Sequence, residues 1–568
     1  MTVSPLIAAL VAIAAYVVAY RVYSRFLADH LFELNPTRAT PAVTERDGSD
    51  YIPTNRFVLF GHQYASITGL SPMLGPAIAV IWGWLPAMLW IVLGAIFVGA
   101  VHDFGALVVS IRAKGMSLGK VTENLIGSRA KTLFHLVIFF LIALAMGVFV
   151  HIIAVLLSPD FYPEAALPSS GLMVVAAVLG YGMHRGHWKL GWLTCLGLVA
   201  AFVLFLLGVE YPVTGVSLTQ WKWLLLTYSF AASVLPVWLL LQPRDYINSL
   251  LLYVGVGTMY LGFFVTNPSF SAPVFDPSPP GAPAMFPFVF VVIACGAASG
   301  FHSLVSSGTT AKQLSSETDA RFVGYGAMIG ESALGLMAVL ACSAGFVSRD
   351  AWLERYVSWQ TADGLGNNIA AFVGGTTTFL ETLGIPNSVG GTFVAVIVVS
   401  FALTSLDSAT RLLRYNITEI GETFRINALN HRLVASGLAV LAIWFFAFVE
   451  VEGDFAGLIL WQLFGTTNQL LAGLALLAIT LYLMRRGKPL VYTGLPMLFI
   501  LLSTLVAMAS NLIDFLSLGQ WTLLGTGTTV FVLAIWLSIE ALVAVYRYQK
   551  APTLDGLEVD FGGSGHNH

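Results

Sequence analysis

Apolar residues in this chain neither alternate nor fall on narrow helical stripes; they run in nearly unbroken stretches separated by short polar turns. An α-helix rises about 1.5 Å per residue, so a stretch of about 20 residues spans the ~30 Å hydrocarbon core of a bilayer. Fifteen spans are predicted, at 6–22, 57–81, 85–111, 133–157, 167–183, 190–209, 223–241, 250–265, 286–310, 324–346, 390–413, 433–449, 455–484, 492–512 and 521–545. Barrel strands would alternate with period two, which these runs do not. Inside lipid every backbone N–H and C=O must be paired within the structure, which leaves helices as the remaining choice. The expected fold class is an all-α polytopic membrane protein. The segment 367–386 is only moderately apolar, and counting it as a crossing would invert every later loop. It is expected to be re-entrant or interfacial.

Composition agrees with this class. Of 568 residues 57% are apolar and 10% charged, with a mean hydropathy of +0.81, whereas a soluble chain carries roughly twice that charge. The net charge of −3 offers nothing to a nucleic acid, and the lipid bilayer is the expected partner. Once loops are assigned to alternate sides, 24 of the 27 Lys and Arg fall on one side, and Lys222, Arg349 and Arg355 on the other. The positive-inside rule then predicts an N-terminus outside and a C-terminus in the cytoplasm. No basic residue precedes the first span, and Arg21 and Arg25 follow it, as in an uncleaved reversed anchor rather than a signal peptide. Cys195, Cys295 and Cys342 all lie within spans and suggest neither a disulfide framework nor a metal site. The polar tail 551–568 is expected to be disordered, and His566 and His568 within it to be a plain terminus.

Helix breakers concentrate in three spans. The second contains Gly61 through Pro76, with two prolines among small polar residues; the seventh contains Ser233-Val234-Leu235-Pro236; the ninth runs from Gly296 to Thr310. The breaks in the second and seventh spans fall at similar depth and are five spans apart. Because five is odd, two five-span units beginning there enter the membrane from opposite sides. Inverted units with broken first helices describe the LeuT-type architecture, in which exposed carbonyls and amides at the breaks hold substrate and coupling ion. The expected division is 1–55 as anchor helix and loop, 56–209 and 210–414 as the inverted repeats, and 415–550 as four additional spans.

Ionisable groups in hydrocarbon cost several kcal/mol unless paired or hydrated, so each needs a reason. His62, His102, Asp103, His302, Glu331, Asp407 and Arg411 all fall in the cytoplasmic half by residue count. Histidine beside a carboxylate exchanges protons near neutral pH, so His62, His102, Asp103, His302, Asp407 and Arg411 are candidates for proton coupling or a gate. Asp407 and Arg411, spaced i,i+4, read equally as a simple ion pair. The candidate substrate contacts are His62, Ser66, Thr68, Gly69, Ser71, Ser233 and Pro236, where a half-helix N-terminus suits a carboxylate. Ser306, Ser307, Thr404 and Ser405 supply hard oxygen ligands for Na⁺, the alternative coupling ion.

The chain resembles the carbon starvation (CstA) family, whose transporters are associated with peptide or pyruvate uptake. The resemblance lies in Arg56-Phe57-Val58-Leu59-Phe60-Gly61-His62 through Gly75-Pro76, in Ser233 through Tyr246, in Ser299-Gly300-Phe301-His302 through Gln313, in Leu406-Asp407-Ser408-Ala409-Thr410-Arg411-Leu412, and in Leu463-Phe464-Gly465-Thr466-Thr467-Asn468-Gln469-Leu470-Leu471. Gln63 stands where the family usually carries a second histidine, and Leu70-Ser71 where it carries a small Ala-Gly pair. The resemblance implies a secondary transporter of a small molecule or short peptide. No Walker loop suggests direct ATP drive. Two other readings remain, an intramembrane metalloenzyme and a receptor without transport. The first lacks any pair of histidines at H-E-x-x-H spacing, and the second any output domain. No enzyme activity, metal or cofactor is expected beyond the coupling ion, and the oligomeric state is left open.

Overall fold

The computed structural model describes residues 4–550 apart from 187 and 452; the tail 551–568, with His566 and His568, lies outside the described residues. The main helices are α1 (Pro5–Leu31), α2 (Arg56–Thr68), α3 (Ser71–Trp82), α4 (Trp84–Arg112), α5 (Ser128–Leu156), α6 (Pro163–His184) and α7 (Leu190–Glu210). They continue as α8 (Leu218–Val234), α9 (Leu241–Thr266), α10 (Met285–Val292), α11 (Ala294–Ala297), α12 (Gly300–Gly308) and α13 (Glu317–Ala344). The remainder are α14 (Leu365–Glu381), α15 (Asn387–Phe424), α16 (Arg432–Phe448), α17 (Ala456–Arg485), α18 (Val491–Ser517) and α19 (Trp521–Arg547). Among the described residues 11 of these helices are long and apolar enough to cross a membrane, and α2 with α3, bent by 45°, passes as a pair. The chain is a multi-pass helical membrane protein.

The helices sort into a core and a lipid-facing shell. In the most apolar stretch of α17, 94% of residues are buried, and in that of α15, 89%; for α7 the figure is 22% and for α1 and α19 28%. Hydropathy cannot make this distinction, because lipid tails are as apolar as a protein interior. Helix pairs α2/α9, α5/α15 and α12/α4 make the large contacts at the centre. Where α4 passes α11, a Cβ on Gly99 would stand 2.1 Å from the carbonyl oxygen of Ala297, so only glycine admits the broken segment α10–α12 at this distance.

The structure moves the second break. Ser233-Val234-Leu235-Pro236 is not an interruption within a span: α8 ends at Val234, and α9 starts anew at Leu241, nine residues before the sequence-predicted span at 250. Pro236 holds Leu235 extended (φ −65°, ψ 151°), which stops the helix. Pro243 lies in the first turn of α9, where no intrahelical N–H is required. Gln242, Arg244, Asn248 and Asp245, too polar for a hydropathy window, are nevertheless buried in α9 because other segments of the chain supply their partners. Arg244 is therefore not a loop residue. A second interruption lies in the ninth of the sequence-predicted spans, where Ile293 (φ −92°, ψ 36°) and Ala298 (φ −162°, ψ 114°) leave helical geometry.

Most of the segment 367–386 belongs to α14. The Thr266 and Thr382 hydroxyls meet at 2.8 Å, and a Cβ on Gly375 would stand 2.2 Å from the Ala341 carbonyl oxygen, so α14 packs across the C-terminal ends of α9 and α13.

Candidate functional site

Two broken helices face each other at the centre of the bundle. Helix α2 ends because Gly69 (φ 43°, ψ −150°) adopts a conformation closed to L residues, and α3 restarts with Pro72 in its first turn. Opposite, the start of α12 is pinned by Asn468 of α17. Its Oδ1 accepts from the Phe301 N–H (3.0 Å) and the Ser299 hydroxyl (3.2 Å), and its Nδ2 donates to Ser299 Oγ (3.0 Å) and Cys295 Sγ (3.3 Å). Between the breaks lies a cavity of ≈ 20 Å³, walled by Thr68, Gly69, Ser71, Ser405, Cys295, Phe301 and apolar side chains including Leu141, Met146, Phe149 and Phe464. It has room for about one water. The sequence pointed to Thr68, Gly69 and Ser71 but overlooked Asn468, whose signal was an amide in an apolar span, a group that lipid-embedded helices keep only when it is bonded.

Of the other candidate substrate contacts, Ser66 lies just below the cavity; its hydroxyl meets Ser408 Oγ at 2.7 Å, and its carbonyl accepts from Ser405 Oγ at 2.9 Å. Ser233 and Pro236 are absent from the cavity wall. Ser233 Oγ meets Ser436 Oγ at 2.9 Å, at the connection from α8 to α9.

The ionisable candidates form separate buried groups. His62 Nδ1 contacts Asp245 Oδ2 at 2.5 Å and its Nε2 lies 3.0 Å from Thr309 Oγ1, while Gln63 donates to Ser306 (2.9 Å) and accepts from Thr310 (2.5 Å). His102 Nδ1 and His302 Nδ1 lie 2.8 and 3.0 Å from the two oxygens of Asp103, and His302 Nε2 lies 3.1 Å from Glu331. Both histidines, Asp103 and Glu331 are fully buried. Asp245, which hydropathy had assigned to a loop, was not foreseen as a partner.

Asp407 and Arg411 do not pair with each other. Asp407 is ion-paired with Arg244 and accepts from Tyr228 Oη at 2.5 Å, and Arg244 also donates to Tyr228 Oη (2.7 Å) and Thr404 Oγ1 (3.1 Å). Arg411, one turn farther along α15, reaches Asp50 Oδ1 at 2.8 Å and donates to the Ala232 and Leu235 carbonyls at 2.6 and 2.5 Å. The intrahelical spacing was right for a pair, but stronger partners on other elements took both charges. The hydroxyls proposed for Na⁺ also diverge: Ser306 bonds Gln63, Ser307 donates to the Ser303 carbonyl, Thr404 faces the Arg244 guanidinium, and Ser405 serves Ser66.

Asp50 belongs to a strap following α1, where Ile52 and Thr54 donate to the Lys312 and Gln313 carbonyls. Burial opposes the Asp50 charge, but Arg411, Arg414 and Lys312 outweigh it and hold the carboxyl well below the usual carboxylate range. A depressed folded value gives stability that is present above the unfolded pKa of about 3.9 and lost only as pH falls through the folded value. Asp50→Asn is therefore expected to lower the melting temperature by the same amount at pH 6 and pH 8 (about neutral, both above that limit). A loss confined to the higher pH would contradict this assignment.

A family model described as "Carbon starvation protein CstA" matches residues 4–354 and 351–507. The peptide transporter CstA of Campylobacter jejuni is 33% identical over 89% of this chain and 80% of its own length, and that of Escherichia coli is 33% identical over 87% and 79%. The pyruvate/proton symporter BtsT of Escherichia coli is 38% identical over 58% of this chain and 48% of that protein. A solved structure of the Eremococcus coleocola manganese transporter aligns with 89% of this chain and 99% of its own at 12% identity, with a TM-score of 0.49. With broken helices at its centre and relatives alike over most of its length, the chain belongs to the carbon starvation protein CstA family of membrane transporters.

Proposed function

We propose that the chain is a secondary transporter of the bacterial inner membrane that takes up a small carboxylate-bearing solute, a pyruvate-sized acid or a short peptide, together with protons. The observation carrying this reading is a cavity between two helix breaks, flanked by buried histidine–carboxylate groups. Unpaired backbone groups at such breaks suit a carboxylate, and histidine–carboxylate pairs suit proton exchange. The cavity, with room for about one water, is smaller than any such solute, so binding requires the half-helices to part. The peptide and pyruvate/proton names of the relatives support the same reading.

In the proposed topology α8, the broken α10–α12 and α16 complete fifteen spans, the N-terminus is outside and the C-terminus cytoplasmic. The breaks then stand in the second and ninth spans. Seven is odd, so the two run in opposite senses, as inverted units do, although they stand seven spans apart rather than the five expected from the sequence.

Proteoliposomes test the coupling. Wild-type protein is expected to accumulate labelled pyruvate or labelled dialanine when the outside is acidic, with no Na⁺ present. His62→Gln is expected to keep exchange of labelled for unlabelled substrate but to stop at equal concentrations inside and out. Uptake that needs Na⁺ and survives collapse of the pH gradient would sink the proton scheme.

A further inference from the structure

Within the buried ionisable groups the carboxylates are not equally compensated. Asp407 has a guanidinium and a phenol, Asp103 has two imidazoles, and Asp245 has His62 at 2.5 Å. Glu331 has less. Its nearest cationic atom is His302 Nε2 at 3.1 Å, an approach off the line of a hydrogen bond, and neither of its oxygens has a hydrogen-bond partner among the described residues. The other nitrogen of that imidazole is already committed to Asp103.

We propose that Glu331 carries the transported proton, with His302 as the residue that couples its release to substrate binding; this rests on the proton-coupled reading above. His302 alone of the two imidazoles reaches Glu331, and it is shared with Asp103, so both carboxylates are neutralised only when His102 and His302 each carry an added proton. With Asp103 and Glu331 both ionised and His102 neutral, the fully buried cluster holds an uncompensated negative charge, a state costing several kcal/mol. A proton on Glu331 removes that charge, and the carbonyl oxygen of the acid then faces the Nε2–H of His302. The other titratable groups facing this turn of α13 are phenols: Tyr64 Oη lies 3.3 Å from the Gly330 carbonyl oxygen, Tyr16 Oη 2.7 Å from Ser332 Oγ, and Tyr260 Oη 2.8 Å from the Ala333 carbonyl oxygen. The Cys295 thiol faces His302. No Lys or Arg forms an ion pair with the cluster among the described residues, so it has no fixed cation to hold Glu331 ionised.

The connection to substrate is a single peptide bond. Phe301 lines the cavity, and His302 follows it on α12. Parting the half-helices to admit a solute shifts Phe301 and with it the imidazole that faces Glu331. When this opening brings water to the acid, the O–H bond of Glu331 breaks, its electron pair stays on the carboxylate, and water takes the proton. Reprotonation from the opposite side resets the cluster.

The test compares wild type, Glu331→Gln and Glu331→Asp in proteoliposomes with labelled pyruvate and labelled dialanine, alongside infrared difference spectra on substrate addition. Glu331→Gln is expected to keep substrate exchange, now at a rate indifferent to pH, and to lose gradient-driven accumulation. Glu331→Asp is expected to remain coupled with a displaced pH profile. Wild type should show a protonated-carboxyl carbonyl band that responds to substrate, moves in Glu331→Asp and is missing in Glu331→Gln. Accumulation by Glu331→Gln with the wild-type pH profile overturns the assignment. If that variant fails to insert, a carbonyl band identical in wild type and Glu331→Asp overturns it instead. A wild-type protein indifferent to a pH gradient refutes the proton-coupled reading itself, a different failure from coupled transport that survives without Glu331.

Discussion

Arg244→Met and Asp407→Leu are each expected to lower the free energy of unfolding by about 3–5 kcal/mol, while the double variant loses far less than their sum. The pair joins α9 to α15 at the bundle centre, with Arg244 2% and Asp407 0% exposed. Removing either member leaves the other as an unpaired charge without water, and the phenol of Tyr228 cannot replace a guanidinium. Removing both deletes the charges together and leaves apolar groups of similar volume. A double-mutant cycle on melting in detergent reads the coupling. The same cycle on Asp407 and Arg411 should give a much smaller coupling, because Arg411 is held by Asp50 and two backbone carbonyls. Strong coupling in the second cycle, with none in the first, would mean that the intrahelical pair is the real one.

Gly69→Ala is expected to abolish transport while still allowing membrane insertion. The backbone at Gly69 (φ 43°, ψ −150°) lies where an L side chain costs about 1–3 kcal/mol, and the new Cβ would also stand 2.9 Å from Ser405 Oγ. The strain can be relieved by straightening α2 into α3, which removes the break and the cavity wall it forms. A bias of that size shifts the population of the broken conformation by roughly 5- to 150-fold. Gly374→Ala on α14, where a Cβ meets nothing within 4 Å, is the matched control and should transport normally. Substrate binding unchanged in Gly69→Ala would place the site elsewhere.

Several features of the site were legible without coordinates because they are local. The break at Gly69-Leu70-Ser71-Pro72 follows from backbone preferences of glycine and proline, and the positions of His62, His102, Asp103, His302 and Glu331 as buried charges follow from their place inside apolar runs. The partners were not legible. Asp245 and Arg244 sit in a stretch whose polarity reads as a loop, and only the packing of α9 against α2 and α15 shows that His62 and Asp407 satisfy them from two different helices. Asn468 escaped for the same reason, since its role exists only where α17 meets the break before α12.

The sequence by itself determined the class of the protein: runs of apolar residues too long for a soluble fold, and backbone groups that lipid cannot satisfy, leave a helical bundle as the one solution. It also determined where one helix had to break, because that depends on residues adjacent in the chain. Only the tertiary structure decided which helices are central, which break faces which, and how the buried charges pair. Lipid and protein interior are equally apolar to a hydropathy scale, and a buried charge takes the best-placed partner in space, as Asp407 does in choosing Arg244 over the arginine one turn away.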